Sequence, residues 1–267
     1  MAELHRLRER KESISQLREI RRLAHTSFAI HYSSESFYDT VEGKTPRVTS
    51  IAVRNLSTGQ TKSFSIHKMA EQNGFVLADI PGHYDALERH MLDEFFDFLR
   101  NHSGYKFVHW NMRDANYGFP ALEHRYKVLK GDPFILPDSQ KFDLARAFVA
   151  IYSRSYIGHD PIGRFLNIAR FNKVTDKDAL TGAQEAEAFK NQEYVKLHLS
   201  TLRKVDMMSN LFERAEDGTL KTQARWREIY GFTPAAIVNA VKEHWIYSLI
   251  GIGVTIAGLI AKVAGLL

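Results

Sequence analysis

Cysteine is absent from the 267 residues. Structural disulfides and cysteine-based zinc sites are therefore excluded, and a reducing compartment fits. No P-loop and no dinucleotide fingerprint occur, which argues against nucleotide binding through those motifs. No Gly-x-Ser-x-Gly elbow occurs either; "YSSES" lacks its glycines, so a serine hydrolase has no nucleophile turn. Internal repeats and low-complexity segments are missing too. The N-terminal stretch "MAELHRLRERKESISQLREIRRL" is too charged to read as a secretory signal.

What is present is an ordinary apolar share of 44%, enough for a sizeable core. The net charge is +5, a mildly basic balance that permits a nucleic-acid or anionic-membrane partner. The length suits one large domain with appendages.

Leu4, Leu7, Ile14, Leu17, Ile20 and Leu23 form one stripe, so residues 3 to 24 are expected to form an amphipathic helix. It either docks on the domain, pairs with a second copy, or serves as a basic arm. "TSFAIHYSSES" suits a buried strand. "RVTSIAVRNLSTGQTKSFSI" reads as two strands around Ser57-Thr58-Gly59, a hairpin signal. Helices are expected from Tyr84 to Arg100, from Phe119 to Leu129, over "KFDLARAFVAIYSRS", over "IGRFLNIARFN" and from Gln184 to Ala215, with "KFVHW" as a fourth strand. This order predicts an α/β sheet with a three-strand antiparallel start and a parallel fourth strand. The boundaries read as a basic helix over 1–25, a main domain over 26–217, a linker and juxtamembrane helix over 218–244, and a hydrophobic helix over 245–267.

The last segment carries its own expectation. Thr233 and Pro234 supply helix-start chemistry, and Trp245 to Ala261 holds no charge before Lys262. That length falls in the range of a membrane span, with Trp245 and Tyr247 as an aromatic belt. Lys221, Arg225, Arg227 and Lys242 precede it and would keep a single-pass protein's main domain in the cytoplasm. Gly251, Gly253, Gly258 and Gly265 would equally suit a buried or self-associating helix in a homo-oligomer.

The central question is why "YKFVHWNMRDANYGFPALEHRY" places His109 and Asp114 just past a strand and ahead of a helix. The layout from residue 26 to 215 resembles the DEDD group of 3'-5' exonucleases with the RNase H-like fold. "FAIHYSSES" falls at the first motif, with Glu35 in the glutamate position. His109 and Asp114 keep the spacing of the second. "EYVKLHLSTLRKVDMMSNLF" resembles the last motif helix, with Asp206 as its carboxylate. The resemblance implies an RNase H-like mixed sheet and a site in which Glu35, Asp114 and Asp206 hold Mg2+ or Mn2+. In that site His109 supports Asp114 or the substrate phosphate, and Arg113 contacts the nucleic-acid backbone. Two metals held this way activate water against a phosphodiester. The chain departs from the pattern at Ser33, where the first aspartate belongs, and at Thr201 and Leu202, where a Tyr or His belongs. Asp39 or His31 are possible substitutes; His198 lies too far along the helix. "GHDP" at 158–161 is a possible His-Asp ligand pair or simply a turn.

Two functions follow. One is a membrane-anchored, metal-dependent 3'-5' exonuclease acting on DNA or RNA. The other is a non-catalytic RNase H-like sensor coupled to a C-terminal membrane-inserting helix, an arrangement seen in bacterial antiviral defence effectors.

Overall fold

Every residue of β1 (Ser27–Ser34) is buried, so this strand has neighbours on both edges and cover on both faces. Large and small side chains alternate along it. Phe28, Ile30 and Tyr32 point into one core, and Ala29, His31 and Ser33 point to the other face. In the computed structural model of the protein, which describes residues 2–35, 45–113 and 116–231 with side chains from residue 5 onward, β1 is the centre of a five-stranded sheet. β2 (Val48–Asn55) runs antiparallel to it and β3 (Thr61–Ser65) antiparallel to β2. β4 (Lys106–His109) and β5 (Lys141–Asp143) run parallel to it on the other side. The spatial order is β3-β2-β1-β4-β5.

The Phe28 face is covered by α3 (Ile80–Asn101) and α4 (Phe119–Val128). Phe64, Phe95, Phe98 and Phe107 fill that layer, Phe64 meeting Phe95 edge-on at 5.7 Å. The opposite face is covered by α8 (Tyr194–Glu216), α5 (Leu144–Tyr152) and α1 (Ala2–Arg22). Here the sheet presents small residues, Ala29, Ser33, Ser50 and Ala52, all fully buried, which lets α8 lie close across β1 and β2. The remaining helices are α2 (Ile66–Gln72), α6 (Arg164–Phe171), α7 (Gly182–Lys190) and α9 (Trp226–Tyr230).

α1 is docked rather than free. Leu7, Leu17 and Ile20 are buried, and Arg21 reaches Glu213 on α8 at 3.6 Å. Beyond residue 218 the chain keeps packing on the same body: Leu220 is buried, Gln223 N–H donates to the Tyr156 carbonyl at 2.8 Å, and Arg6 donates to the Glu228 carbonyl at 3.0 Å.

Three expectations change. The segment read as one helix from Lys141 begins with β5, because Phe142 aligns beside Val108 and extends the parallel ladder before Asp143 caps α5. The segment from Gln184 to Ala215 is two helices, parted at Asn191–Glu193, where Gln192 takes φ 60°. The fold class also needs correcting, from a sheet domain with a transmembrane-like helix to an α/β domain with a mixed five-stranded sheet flanked by helices. Among the described residues no helix is long and apolar enough to cross a membrane. The longest, α3 and α8, have the length, but each carries charges around its outer face, such as Asp93, Glu94 and Asp97 or Lys196, Arg203 and Asp206. Residues 245–267, on which the membrane expectation rested, lie outside the described residues.

Candidate nucleic-acid cleft

Parallel strands place their carboxyl ends on one rim of a sheet, and ligands of such sheets sit against that rim. The C-terminal ends of β1, β4 and β5 here open onto a cleft of about 1740 Å³. His31 of β1, His109 of β4 and Asp143 of β5 line it, with α1, α5 and α6 as its walls and Lys204 of α8 at its floor.

Asp143 organises the rim. It is the N-cap of α5, and its Oδ1 accepts N–H bonds from Ala145 at 3.0 Å and Asn111 at 3.2 Å. Its Oδ2 lies 2.7 Å from Arg113 Nε. Arg113 also donates to the Asn111 side chain, and its backbone bridges Gly118. Gly118 is needed there: with φ 158°, a Cβ would sit 2.5 Å from the Met112 carbonyl carbon. Its N–H donates to the Tyr32 hydroxyl at 2.9 Å, tying this loop to β1.

His109 ends β4, buried, and its Nδ1 accepts the Met112 N–H at 3.1 Å. Burial pushes its pKa down to about 4, against the opposing pull of Asp143. His31 is likewise held neutral, well below the ordinary imidazole range, by burial first and by Lys204 second. Its Nδ1 lies 3.1 Å from the Tyr117 hydroxyl, while its Nε2 is buried without a partner. Lys204 is buried and its Nζ sits 2.7 Å from Glu185 Oε1, to which Ser200 also donates at 2.9 Å.

The sequence-predicted site residues are dispersed. Glu35 follows β1 and is held by Arg47, whose Nε lies 3.3 Å from its Oε2. Asp206 sits on α8 between Arg54 at 3.3 Å and Arg203 at 3.1 Å. Arg54 pairs with Ala29 in the β1–β2 register and also donates to the carbonyl of Gly59 in the hairpin turn. Glu35 lies beyond the opposite end of β1, roughly 20 Å away at the rise of a strand. The structure therefore does not bring Glu35 and Asp206 together, and neither lines the cleft. Asp114, like Asp39, lies outside the described residues. Among the described residues no group of three or more His, Asp or Glu side chains is placed to hold a metal ion. Ser33 is buried with an unpartnered hydroxyl, Thr201 bonds Ser50, and the His198 ring lies 4.9 Å from that of His67 on α2, tilted to it by 47°. His159 is exposed on the cleft wall, and the Asp160 carbonyl accepts from Asn167.

Of the residues the sequence assigned to the site, His109 and Arg113 lie in the cleft, as do His31, named there as a substitute, and His159 of the GHDP turn. Sequence reasoning missed Lys204, Glu185 and Asp143. Lys204 had a signal: it falls on the stripe Leu197, Ser200, Thr201, Met207, Met208 and Leu211, which is the buried face of α8.

The cleft is electropositive. Arg6, Arg113, Lys141, Arg146, Arg154 and Arg164 line it with Lys204, against four carboxylates, Glu9, Glu12, Asp138 and Asp143. Trp110 stands among them, half-buried and packed edge-on to Phe148 at 5.6 Å and Phe165 at 5.0 Å. No protein-family model, no curated protein and no solved structure matches the chain.

Proposed function

We propose that this chain binds single-stranded nucleic acid in the cleft and does not cut it, as a non-catalytic relative of the RNase H-like nucleases. The observation that carries this is the pair His31 and Lys204. They stand where β1 and α8 meet the cleft, so this part of it presents an imidazole and an ammonium, whereas a two-metal site is built from carboxylates. A lysine at that position repels divalent cations and attracts phosphate. The surrounding arginines and lysines supply the sequence-independent contacts that dominate affinity for a phosphate backbone. Trp110 and Phe165 offer aromatic surface for base stacking beside those charges. Strand order and polarity, with a long helix laid across β1 and β2, are consistent with the RNase H-like reading.

The test uses the full chain and fluorescently labelled single-stranded DNA and RNA of about 20 nucleotides, a length several times the site of one binding fold. Anisotropy is read over a salt series with Mn2+ and with EDTA, and the oligonucleotides are then sized on a gel. The expected result is binding that weakens steeply with salt, is indifferent to EDTA and leaves every strand intact. Shortening that requires Mn2+ and stops in EDTA would overturn the reading and return the protein to the metal-dependent exonucleases.

A further inference from the structure

The cleft floor is built differently from its walls. His31, Lys204, Thr181 and Gly182 form it, and behind them lie Glu185 and Ser200. His31 is 7% and Lys204 6% exposed, whereas Arg113 and Arg146 on the walls are open to solvent. α7 begins at this floor. The Thr181 hydroxyl caps it by accepting from Gln184 N–H, and Glu185 N–H goes to the Thr181 carbonyl. The N–H groups of Gly182 and Ala183 have no acceptor among the described residues. Such first-turn N–H groups favour an anion, and the helix dipole adds to this. The second pointer is His31 Nε2, buried and unpartnered on the same floor. An imidazole nitrogen in that state costs free energy unless something bonds to it.

Lys204 supplies the charge. One of its three N–H donors is used by Glu185 at 2.7 Å, which fixes the ammonium in place. Glu185 offsets that charge, and its Oε1 is already taken by Lys204 and Ser200. We propose that this floor seats a phosphate monoester at the end of a bound strand, gripped by Lys204, His31 Nε2 and the N-terminus of α7. The proposal rests on the nucleic-acid reading above and adds what the floor recognises. Burial selects the end. An internal phosphodiester carries a sugar on both sides and stays at the rim, where the exposed arginines are. A monoester has three free oxygens and one attachment, so it can descend to groups that are more than nine-tenths covered. The proton between phosphate oxygen and imidazole completes a hydrogen bond from either side.

Equilibrium binding is measured for three labelled oligonucleotides of one sequence: hydroxyl at both ends, 5'-phosphate, and 3'-phosphate. One phosphorylated form is expected to bind roughly tenfold more tightly than the hydroxyl form, the scale of one charged hydrogen bond. Millimolar inorganic phosphate should remove that increment and leave the remaining binding. His31→Gln should shrink the increment. Glu185→Gln, which keeps an acceptor for Lys204 but removes the offsetting charge, should enlarge it, and misfolding cannot produce a gain. Equal binding of all three strands overturns the seat while leaving the cleft reading intact. An increment that inorganic phosphate does not touch, or that is unchanged in both variants, also overturns it. Failure of all three to bind removes the nucleic-acid reading itself.

Discussion

The hydroxyls of Ser50 and Thr201 lie 2.6 Å apart, buried between β2 and α8. Their proton order follows from the neighbours. Thr201 donates to the Leu197 carbonyl at 3.0 Å, so Ser50 must be the donor in the shared bond. Polar side chains of the sheet's small-residue face and of α8 meet directly here, as Arg54 and Asp206 do further along β2. The position on α8 is the one where an exonuclease-like sequence would have placed a Tyr or His. Thr201 is spent on holding the helix to the sheet.

That order predicts unequal costs. Ser50→Ala should lower unfolding free energy by about 1 kcal/mol, the net worth of one buried hydrogen bond. Thr201→Val should cost more, because it leaves the Ser50 hydroxyl buried with no acceptor. The double variant should be less destabilised than the sum of the two. Urea unfolding of all four proteins closes the cycle, and strict additivity would show that the hydroxyls are not coupled.

A pH dependence follows from His109. Its Nδ1 accepts the Met112 N–H, so the neutral ring carries its proton on Nε2, and a second proton would set two donors against each other. The folded pKa of about 4 lies below the usual 6.5. The stabilisation is therefore complete above pH 6.5 and lost as pH falls through about 4. A depression of that size corresponds to about 3 kcal/mol. His109→Asn keeps an acceptor for Met112 but has no titrating ring. The stability gap between wild type and His109→Asn in urea should be widest near neutrality and narrow toward pH 4.5. A gap independent of pH would show that the ring does not titrate in this range.

Gly131 tests the packing of the other core. A Cβ at this position would collide with the ring of Tyr126, which is itself stacked on Phe96 at 4.6 Å. Tyr126 is further fixed by its hydroxyl, which donates to Asp93, and by the Arg89 guanidinium, which lies 5.1 Å over its ring. Gly131→Ala should destabilise by about 1–3 kcal/mol, the usual cost of overpacking. A thermal unfolding midpoint unchanged from wild type would mean the ring has room to move.

The walls of the cleft give a prediction separate from the floor. Arg146 and Arg154 are exposed and line it. Replacing either with Ala should weaken binding of all single strands alike and lower the slope of log K against log salt by about 1. A loss confined to one sequence or one end would show that these side chains read more than the backbone.

Much of the fold was legible in the sequence because its signals are local. The hairpin announced itself through Ser57-Thr58-Gly59, and α3 through its apolar spacing. β5 was not legible. It has a single core-facing residue, Phe142, and becomes a strand only by pairing with β4, which no local pattern encodes. α2 was missed for a related reason: seven residues are too few for a period to show. The site divides the same way. His109 and Arg113 stand beside a strand end and were found there. Glu35 and Asp206 matched a spacing, but each is neutralised by its own arginines at opposite ends of the sheet. Glu185 and Lys204 stand nineteen positions apart on different helices, and only their meeting at the cleft floor gives them a role.

The docking of α1 has a consequence for the order of assembly. This helix leaves the ribosome well before its partners α5 and α8, and its Arg21 reaches Glu213 and Glu216 near the end of α8. The β1–β2–β3 meander can close as soon as it is made. β1 must then wait for β4 and β5 on its other edge, and α1 waits longer still, an apolar stripe without its full seat until α8 has been made. α1 is made before the helices that seat it, and a nascent chain halted before α8 should hold its stripe open to chaperones.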